Sequence, residues 1–348
     1  MAKQVPRTRM ARRKRRARFF IKTILFIGFM SFLVLGGTIG YFAWKLSDVA
    51  ADTQELLKRG EKSERREEAV NPKQDNISVL FIGVDNRDGD LDGLSDALLL
   101  ATFNKNDPSI KLTSIPRDSL VNIPHHGQDK ITHAHAFGGV DLTVQTVEEL
   151  LDIPVDYYVK LNFEAFIEIV DALNGVEVDV AKSFYEQDSY GNHNAIFIEE
   201  GKQVLSGEEA LAYARMRKND PQGDIGRGQR QQEIIESLIR KSASISSIRH
   251  YDDVLQSVEE HMTMNLSFGN LIALHQYAGA INHIEKLQLK GEDLYMNNVY
   301  YYQLDEQHTY EISQQLKAHL EIEDSDPFST PGASVQTEAE TFESENTY

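Results

Sequence analysis

The chain contains no cysteine. That excludes a disulfide scaffold, a Cys-ligated zinc or iron–sulfur site and any thiol nucleophile. It also has no GxSxG elbow, no P-loop, no GxGxxG and no HExxH spacing, so the common serine-hydrolase, nucleotide and zinc-peptidase signatures are missing. Basic residues are scarce beyond the start. Ten of the 36 Lys and Arg fall in residues 1–22, where there is no acid, leaving 26 against 54 acidic residues, a net of −28. A body this acidic is a poor general binder of nucleic acid.

Long apolar runs are equally rare, and the exception is informative. Thr23 to Trp44 is a 22-residue stretch without charge, rich in Phe, Ile, Leu, Val and Gly. As a helix it would extend ~33 Å, enough for the hydrocarbon core of a bilayer. Tyr41 and Trp44 sit near its far end, where an aromatic belt is expected. The preceding basic cluster places residues 1–22 in the cytoplasm and the rest outside. The run is too long for a signal-peptide core, and no small-x-small cleavage site follows cleanly, so the pattern predicts an uncleaved signal-anchor and a single-pass type II protein of the cell membrane.

Residues 45–75 are polar with charges of both signs and read as a stalk. Residues 321–348 carry eight acidic residues and no basic one, a disordered tail. The folded body is then 76–320. Ile77–Val84 and Leu98–Phe103 read as buried strands, and Ile110–Ile115 alternates. Val140, Val144, Val147 and Leu151 fall at helical spacing, as do Phe163, Phe166, Ile167 and Val170. Asn174-Gly175 stops that second helix, and Val176, Val178 and Val180 alternate as a strand. Ser206-Gly-Glu-Glu209 is a capping box. Ile234, Ile235, Leu238 and Ile239 mark a further helix; Leu271, Leu274, Ala278 and Ile281 mark another. The expected fold is α/β, with helices covering a central mixed sheet.

The early strands give a geometric argument for a site. Asp85 follows the first strand and Asp96 opens the second. If those strands are antiparallel neighbours, both aspartates meet at one sheet edge. The short turn at 104–108 then returns the chain, so Arg117 and Asp118 reach the same edge. Paired carboxylates at ~2.0–2.1 Å from a hard cation commonly hold Mg²⁺ beside phosphate oxygens. Asp and Gly in such a loop are also ordinary turn formers, and Asp88, Asp90 and Asp92 are read as solvated turn residues. Further on, Arg215, Arg217, Arg227 and Arg230 fall within sixteen residues of an otherwise acidic body. Arg227 and Arg230 lie at the entry of a helix, where the dipole and free N–H groups favour an anion. A salt-bridged surface is the plainer reading of this cluster. Taken with the aspartates, the arginines point to a pyrophosphate-sized anion. His125, His126, His133 and His135 lack a matching carboxylate spacing and are read as loop or packing residues. Gly138-Gly139 is read as a turn.

Together, IGVDNR (82–87), SDALLL (95–100), SIPRD (114–118), the run 130–166, LSGEEALAYARMRK (205–218) and GDIGRGQRQ (223–231) resemble the LytR–CpsA–Psr family of cell-envelope proteins, most closely its LytR/TagU type. The resemblance implies an α/β/α sandwich with an apolar pocket for a polyprenyl chain. It implies transfer of a glycopolymer, such as wall teichoic acid or capsule, from an undecaprenyl-pyrophosphate carrier to peptidoglycan through a phosphodiester, with Mg²⁺ (or Mn²⁺) as cofactor. By matching motif positions, Asp85 and Asp96 take the metal positions, Arg87, Arg117, Arg215, Arg217 and Arg227 contact pyrophosphate, and Asp224 and Gln231 are further polar site residues. Arg117, Asp118, Asp224 and Arg227 are the expected catalytic residues, with either aspartate available as proton acceptor. One departure stands out: the family pattern GRSD is GLSD here, with Leu94 in the arginine place, so that Arg87 or Arg230 would have to substitute. A non-catalytic glycolipid binder or transcription attenuator, and an extracellular pyrophosphatase, are the competing readings.

Overall fold

A computed structural model describes residues 54–85, 91–217, 220–242, 258 and 260–322. The expected membrane span 23–44, the basic segment 1–22, Arg87 and nearly all of the acidic tail lie outside them. No helix among the described residues is long and apolar enough to cross a membrane.

β1 (Ile77–Val84), β2 (Ser95–Asn104) and β3 (Ser109–Ile115) form an antiparallel meander. Two small hairpin strands, β4 (Leu120–Ile123) and β5 (Gly127–Lys130), lead into helix α1 (His133–Leu151). β6 (Tyr157–Leu161) then pairs parallel to β1. Helix α2 (Phe163–Ala172) is capped by Asn162, whose side chain accepts from the Ala165 amide. β7 (Val176–Val180), the short pair β8 (Phe184–Glu186) and β9 (Ile196–Ile198), and β10 (Gly201–Leu205) follow. Next come helices α3 (Gly207–Arg215) and α4 (Asp224–Ser242), β11 (Met262–Met264) and helix α5 (Phe268–Ala273). β12 (Ile284–Gln288), the hairpin β13 (Gly291–Met296) and β14 (Val299–Leu304), and helix α6 (Glu306–Leu320) complete the body.

The central sheet has the order β11-β6-β1-β2-β3-β12 and is mixed, because β1–β6 and β3–β12 are parallel while the meander is antiparallel. β1 is apolar almost throughout because both faces of the sheet are covered. Leu80, Ile82 and Val84 face a core shared with α1 and α6. Ile77 and Val79 face the opposite layer, with Tyr277, Ala280, Ile235 and Ile239. α2, β7, β10 and α3 enclose a third cluster around Val176 and Leu205. The capping box at Ser206 and Glu209 is formed. Asn174 and Gly175 take positive φ at the end of α2 (59° and 79°).

Two expectations need correction. The stalk reading of 45–75 does not hold from Gln54 onward, because the chain there lies on the body. Leu57 is buried, Arg59 binds Glu148 at 2.5 Å, and Arg66 binds Asp156 at 2.7 Å. The helix expected through Leu271–Ile281 is α-helical only to Ala273 and then tightens into a 3₁₀ segment, Leu274–Asn282. Gly138 and Gly139, in contrast, leave helical backbone, with Gly139 at φ 63°, and break α1 just before Val140 as expected.

Candidate active site

Val84 pairs with Ser95 and Gly83 with Ala97, so Asp96 is the extra residue of a β-bulge at the end of the β1–β2 ladder. A bulge re-aims a side chain out of the pleat. Asp96 and Asp85, the residue after β1, line one cavity of about 240 Å³. Arg117, just past β3, reaches the same end of the sheet, and its Nη1 donates to Asp96 Oδ1 at 2.8 Å. The remaining arginines arrive from elsewhere: Arg215 from the C-terminus of α3, Arg217 from the following loop, and Arg227 from the first turn of α4. The guanidinium of Arg215 lies over the Phe163 ring at 4.6 Å. Gln231, one turn beyond Arg227, also lines the cavity.

Asp224 stands among these cations. Its carboxylate lies 3.4 Å from Arg227, 3.6 Å from Arg217 and 3.8 Å from Arg117. These pairs are longer than the usual hydrogen bond, so the guanidiniums are positioned without all their donors being consumed. Arg117 Nε and Asp224 Oδ2 are both buried without a hydrogen-bond partner. Arg117 Nε, 3.4 Å from Asp118 Oδ2, is thus a donor that a bound anion would satisfy.

Asp118 and Asp224 interact with each other but differ in charge preference. Burial alone would raise Asp118, yet hydrogen bonds from Lys130 and Asp224 and the charge of Arg117 hold it below the usual carboxylate range. Asp224 is pushed above that range, chiefly by burial and also by the Asp118 charge, against the pull of Arg227. Burial lowers the affinity of Arg227 for its proton, while the three aspartates around Arg117 outweigh burial and raise it there.

The other end of the cavity is apolar, walled by Phe81, Leu99, Phe166, Leu211, Ile234 and Ile235. A cavity that joins arginines to apolar walls suits an amphiphile with an anionic head. For a metal, the donor set is two carboxylates; no group of three or more His, Cys, Asp or Glu suited to a metal occurs among the described residues. That does not make a closed protein cage. It does fit Mg²⁺, which keeps waters and takes phosphate oxygens beside one or two carboxylates.

Arg230 does not join the site. It is buried, bonded to Asp220 at 2.5 Å, to the Tyr213 carbonyl at 3.2 Å and to the Met216 carbonyl, and so braces the loop carrying Arg217. It therefore does not substitute for the arginine absent at Leu94, whose side chain is 41% exposed. Of the histidines, His135 is buried and its Nδ1 bonds the Gly93 carbonyl at 2.8 Å, His133 pairs with Asp129, and exposed His126 stacks on Phe137. Sequence reasoning missed Lys130, whose Nζ binds Asp118 at 2.6 Å, and also Glu186 and Gln187, which line the cavity from β8. Lys130 opens the long motif 130–166, but only the β4–β5 hairpin brings it back to Asp118.

The LytR_cpsA_psr family model matches residues 40–318. The polyisoprenyl-teichoic acid–peptidoglycan teichoic acid transferase TagT of Bacillus subtilis (strain 168) is 42% identical over 323 residues, covering 91% of this chain and 99% of that protein. A solved structure of TagT bound to LIIa-WTA superposes with a TM-score of 0.67 at 42% identity, covering 77% of this chain and all of that one. Another, with bound octaprenyl pyrophosphate lipid, gives a TM-score of 0.62 at 40% identity and the same coverage. By fold, by motif and by these matches, the chain belongs to the LytR–CpsA–Psr family.

Proposed function

We propose that this protein transfers an anionic glycopolymer, such as wall teichoic acid, from a polyprenyl diphosphate carrier to peptidoglycan, releasing polyprenyl phosphate. The carrying observation is the convergence of Arg117, Arg217 and Arg227 in the wall of a largely apolar cavity, each within 4 Å of Asp224. Phosphoryl transfer asks mainly for positioning and charge neutralisation, which such an array supplies. The relatives' teichoic acid transferase activity and the bound prenyl pyrophosphate in a homologous structure support the same reading.

The apolar walls hold the prenyl chain, and Arg117, Arg215, Arg217 and Arg227, with Gln231 beside them, hold the diphosphate. Asp85 and Asp96 would hold Mg²⁺ (or Mn²⁺), which when bound supplies further neutralisation of the phosphate oxygens. An acceptor hydroxyl of the glycan attacks the phosphorus nearer the donor polymer. The new P–O bond forms as the bond to the bridging oxygen breaks, and polyprenyl phosphate leaves with the electron pair. The hydroxyl proton passes to Asp224, whose raised proton affinity suits it better than Asp118, held anionic by Lys130 and Arg117. Residues 1–22 and 23–44 supply cytoplasmic and membrane-spanning anchorage, leaving the body outside the cell beside the bilayer that carries its substrate.

The test is to incubate the full chain with a polyprenyl diphosphate glycan, Mg²⁺ and peptidoglycan. Glycan covalently linked to peptidoglycan, lost on chelation and restored by Mg²⁺, is the expected result. Phosphate-linked release without acceptor would indicate a pyrophosphatase. Tight binding without turnover would favour a carrier or regulator, the reading that Leu94 at an arginine position supports.

A further inference from the structure

The hairpin of β13 and β14 carries aromatic surface that the donor site does not use. Tyr295 and Tyr300 are cross-strand partners with ring centroids 5.5 Å apart in an edge-on arrangement. Tyr295 is 70% exposed, and Met296 and Val299 beside it are exposed too. Lys130 Nζ lies 5.8 Å and 5.7 Å from the ring centroids of Tyr300 and Tyr301 while binding Asp118 at 2.6 Å. The main chain completes the connection: the Tyr302 amide donates to the Asp118 carbonyl at 2.8 Å, and Ser119 bridges to Tyr302. The tyrosines are thus fastened to the residue next to Arg117, yet Tyr295, Tyr300 and Tyr301 are not part of the donor cavity wall. Tyrosines that present a flat apolar body and a wet hydroxyl tip are binding surfaces rather than core.

We propose that this hairpin is the acceptor subsite, where Tyr295 and Tyr300, cross-strand partners on one face of the hairpin, stack on the pyranose rings of a peptidoglycan glycan strand and set one sugar hydroxyl beside the Asp118–Asp224 pair. The inference rests on the transferase reading above and adds where its second substrate sits. Three features support it. Pyranose rings offer apolar C–H faces ringed by hydroxyls, which match tyrosine faces and tips. The Tyr300 hydroxyl donates to Asp293 Oδ1 at 3.0 Å on the same hairpin, which fixes the orientation of that ring in advance of binding. The apolar recess accounts for the lipid, which leaves the Asp118 side, with its aromatic floor, for the incoming hydroxyl.

The experiment uses the full chain in detergent micelles and soluble oligosaccharides of alternating N-acetylglucosamine and N-acetylmuramic acid. Ligand-observed saturation-transfer NMR reads saccharide binding without any donor, and steady-state transfer reads the acceptor KM. Y295A/Y300A should lose the saturation-transfer signal and raise the acceptor KM at least tenfold, with the affinity for polyprenyl diphosphate unchanged. Y295F/Y300F, which keeps the ring faces but removes the hydroxyl tips, should keep the saturation-transfer signal while raising the acceptor KM only a fewfold. Because Tyr295 is largely exposed, Y295A alone should show a smaller loss without a change in melting temperature. Wild-type signal and acceptor KM in Y295A/Y300A would overturn the proposal. If the unaltered chain transfers nothing, the transferase reading fails, while the NMR signal still decides whether the hairpin binds glycan.

Discussion

Gly207 offers a sharp test of how the fold aims the arginines. It opens α3 where that helix crosses α2, and its amide donates to Asp171 Oδ1 at 2.7 Å. A Cβ added there would lie 2.4 Å from the Ile167 carbonyl oxygen and 2.8 Å from Ile167 Cα. Ordinary contact begins near 3.4 Å, so α3 must retreat by about 1 Å, and the obstacle is backbone that cannot rotate away. Such overpacking costs about 1–3 kcal/mol, a fall in melting temperature of roughly 3–10 °C for a domain of this size. The retreat is carried down α3 to Arg215, and a misplacement of about 1 Å costs on the order of 10²-fold in rate. G207A should therefore lose both stability and transfer. Gly228 is the contrasting case: its Cβ would meet Ser114 Oγ at 2.4 Å and Cβ at 3.2 Å. G228A should be rescued by S114G, since that obstacle is a side chain. Thermal melts and initial rates of glycan transfer measure both. A G207A protein with wild-type melting temperature and rate would refute the reasoning.

The pair of aspartates predicts a pH profile. Asp224 must be ionised to accept a proton, and its proton affinity is raised by burial, so the transfer rate should fall as pH drops through its elevated pKa. D224N should lower the rate by about 10²–10³-fold and abolish this acid limb. His319, bonded to Thr102 and Ser109, is held neutral by burial, with its pKa pushed down to about 4. The unfolded chain takes up that proton near pH 6.5, so stability is fully present above 6.5 and declines towards pH 4, by roughly 2 kcal/mol once partial solvent screening is allowed for. H319Q should flatten the decline in denaturant titrations. At Leu94, replacement by Arg should leave the melting temperature within about 1 °C, since the side chain is exposed, and raise affinity for polyprenyl diphosphate several-fold in calorimetry.

The parts of the fold legible in the sequence are those with local signals. The apolar run 77–84, the stop at Asn174-Gly175 and the capping box at Ser206 each depend on a few neighbouring residues. The meeting of Asp85, Asp96 and Arg117 was readable once β1 and β2 are taken as antiparallel neighbours, because the short β2–β3 turn then returns the chain to the same edge. What was illegible depends on distant partners. Residues 54–75 look like a solvated stalk because their anchors, Glu148 and Asp156, lie about 90 residues away. Arg227 and Arg230 sit close together on one helix and are equally buried, yet Asp220 and the Tyr213 and Met216 carbonyls hold Arg230 away from the cavity. The β13–β14 hairpin did carry a signal that was not used: Asn297-Asn298, both at positive φ, is the two-residue turn that matches strand twist.

The arginine cradle can be examined without the complete reaction. Isothermal titration of the full chain with a short-chain prenyl diphosphate and the matching monophosphate compares one phosphate with two on the same lipid. The account predicts at least tenfold tighter binding of the diphosphate, with that advantage lost in R117A and R227A while the monophosphate affinity changes far less. Equal affinity for the two lipids, or a diphosphate preference that survives both substitutions, would contradict it.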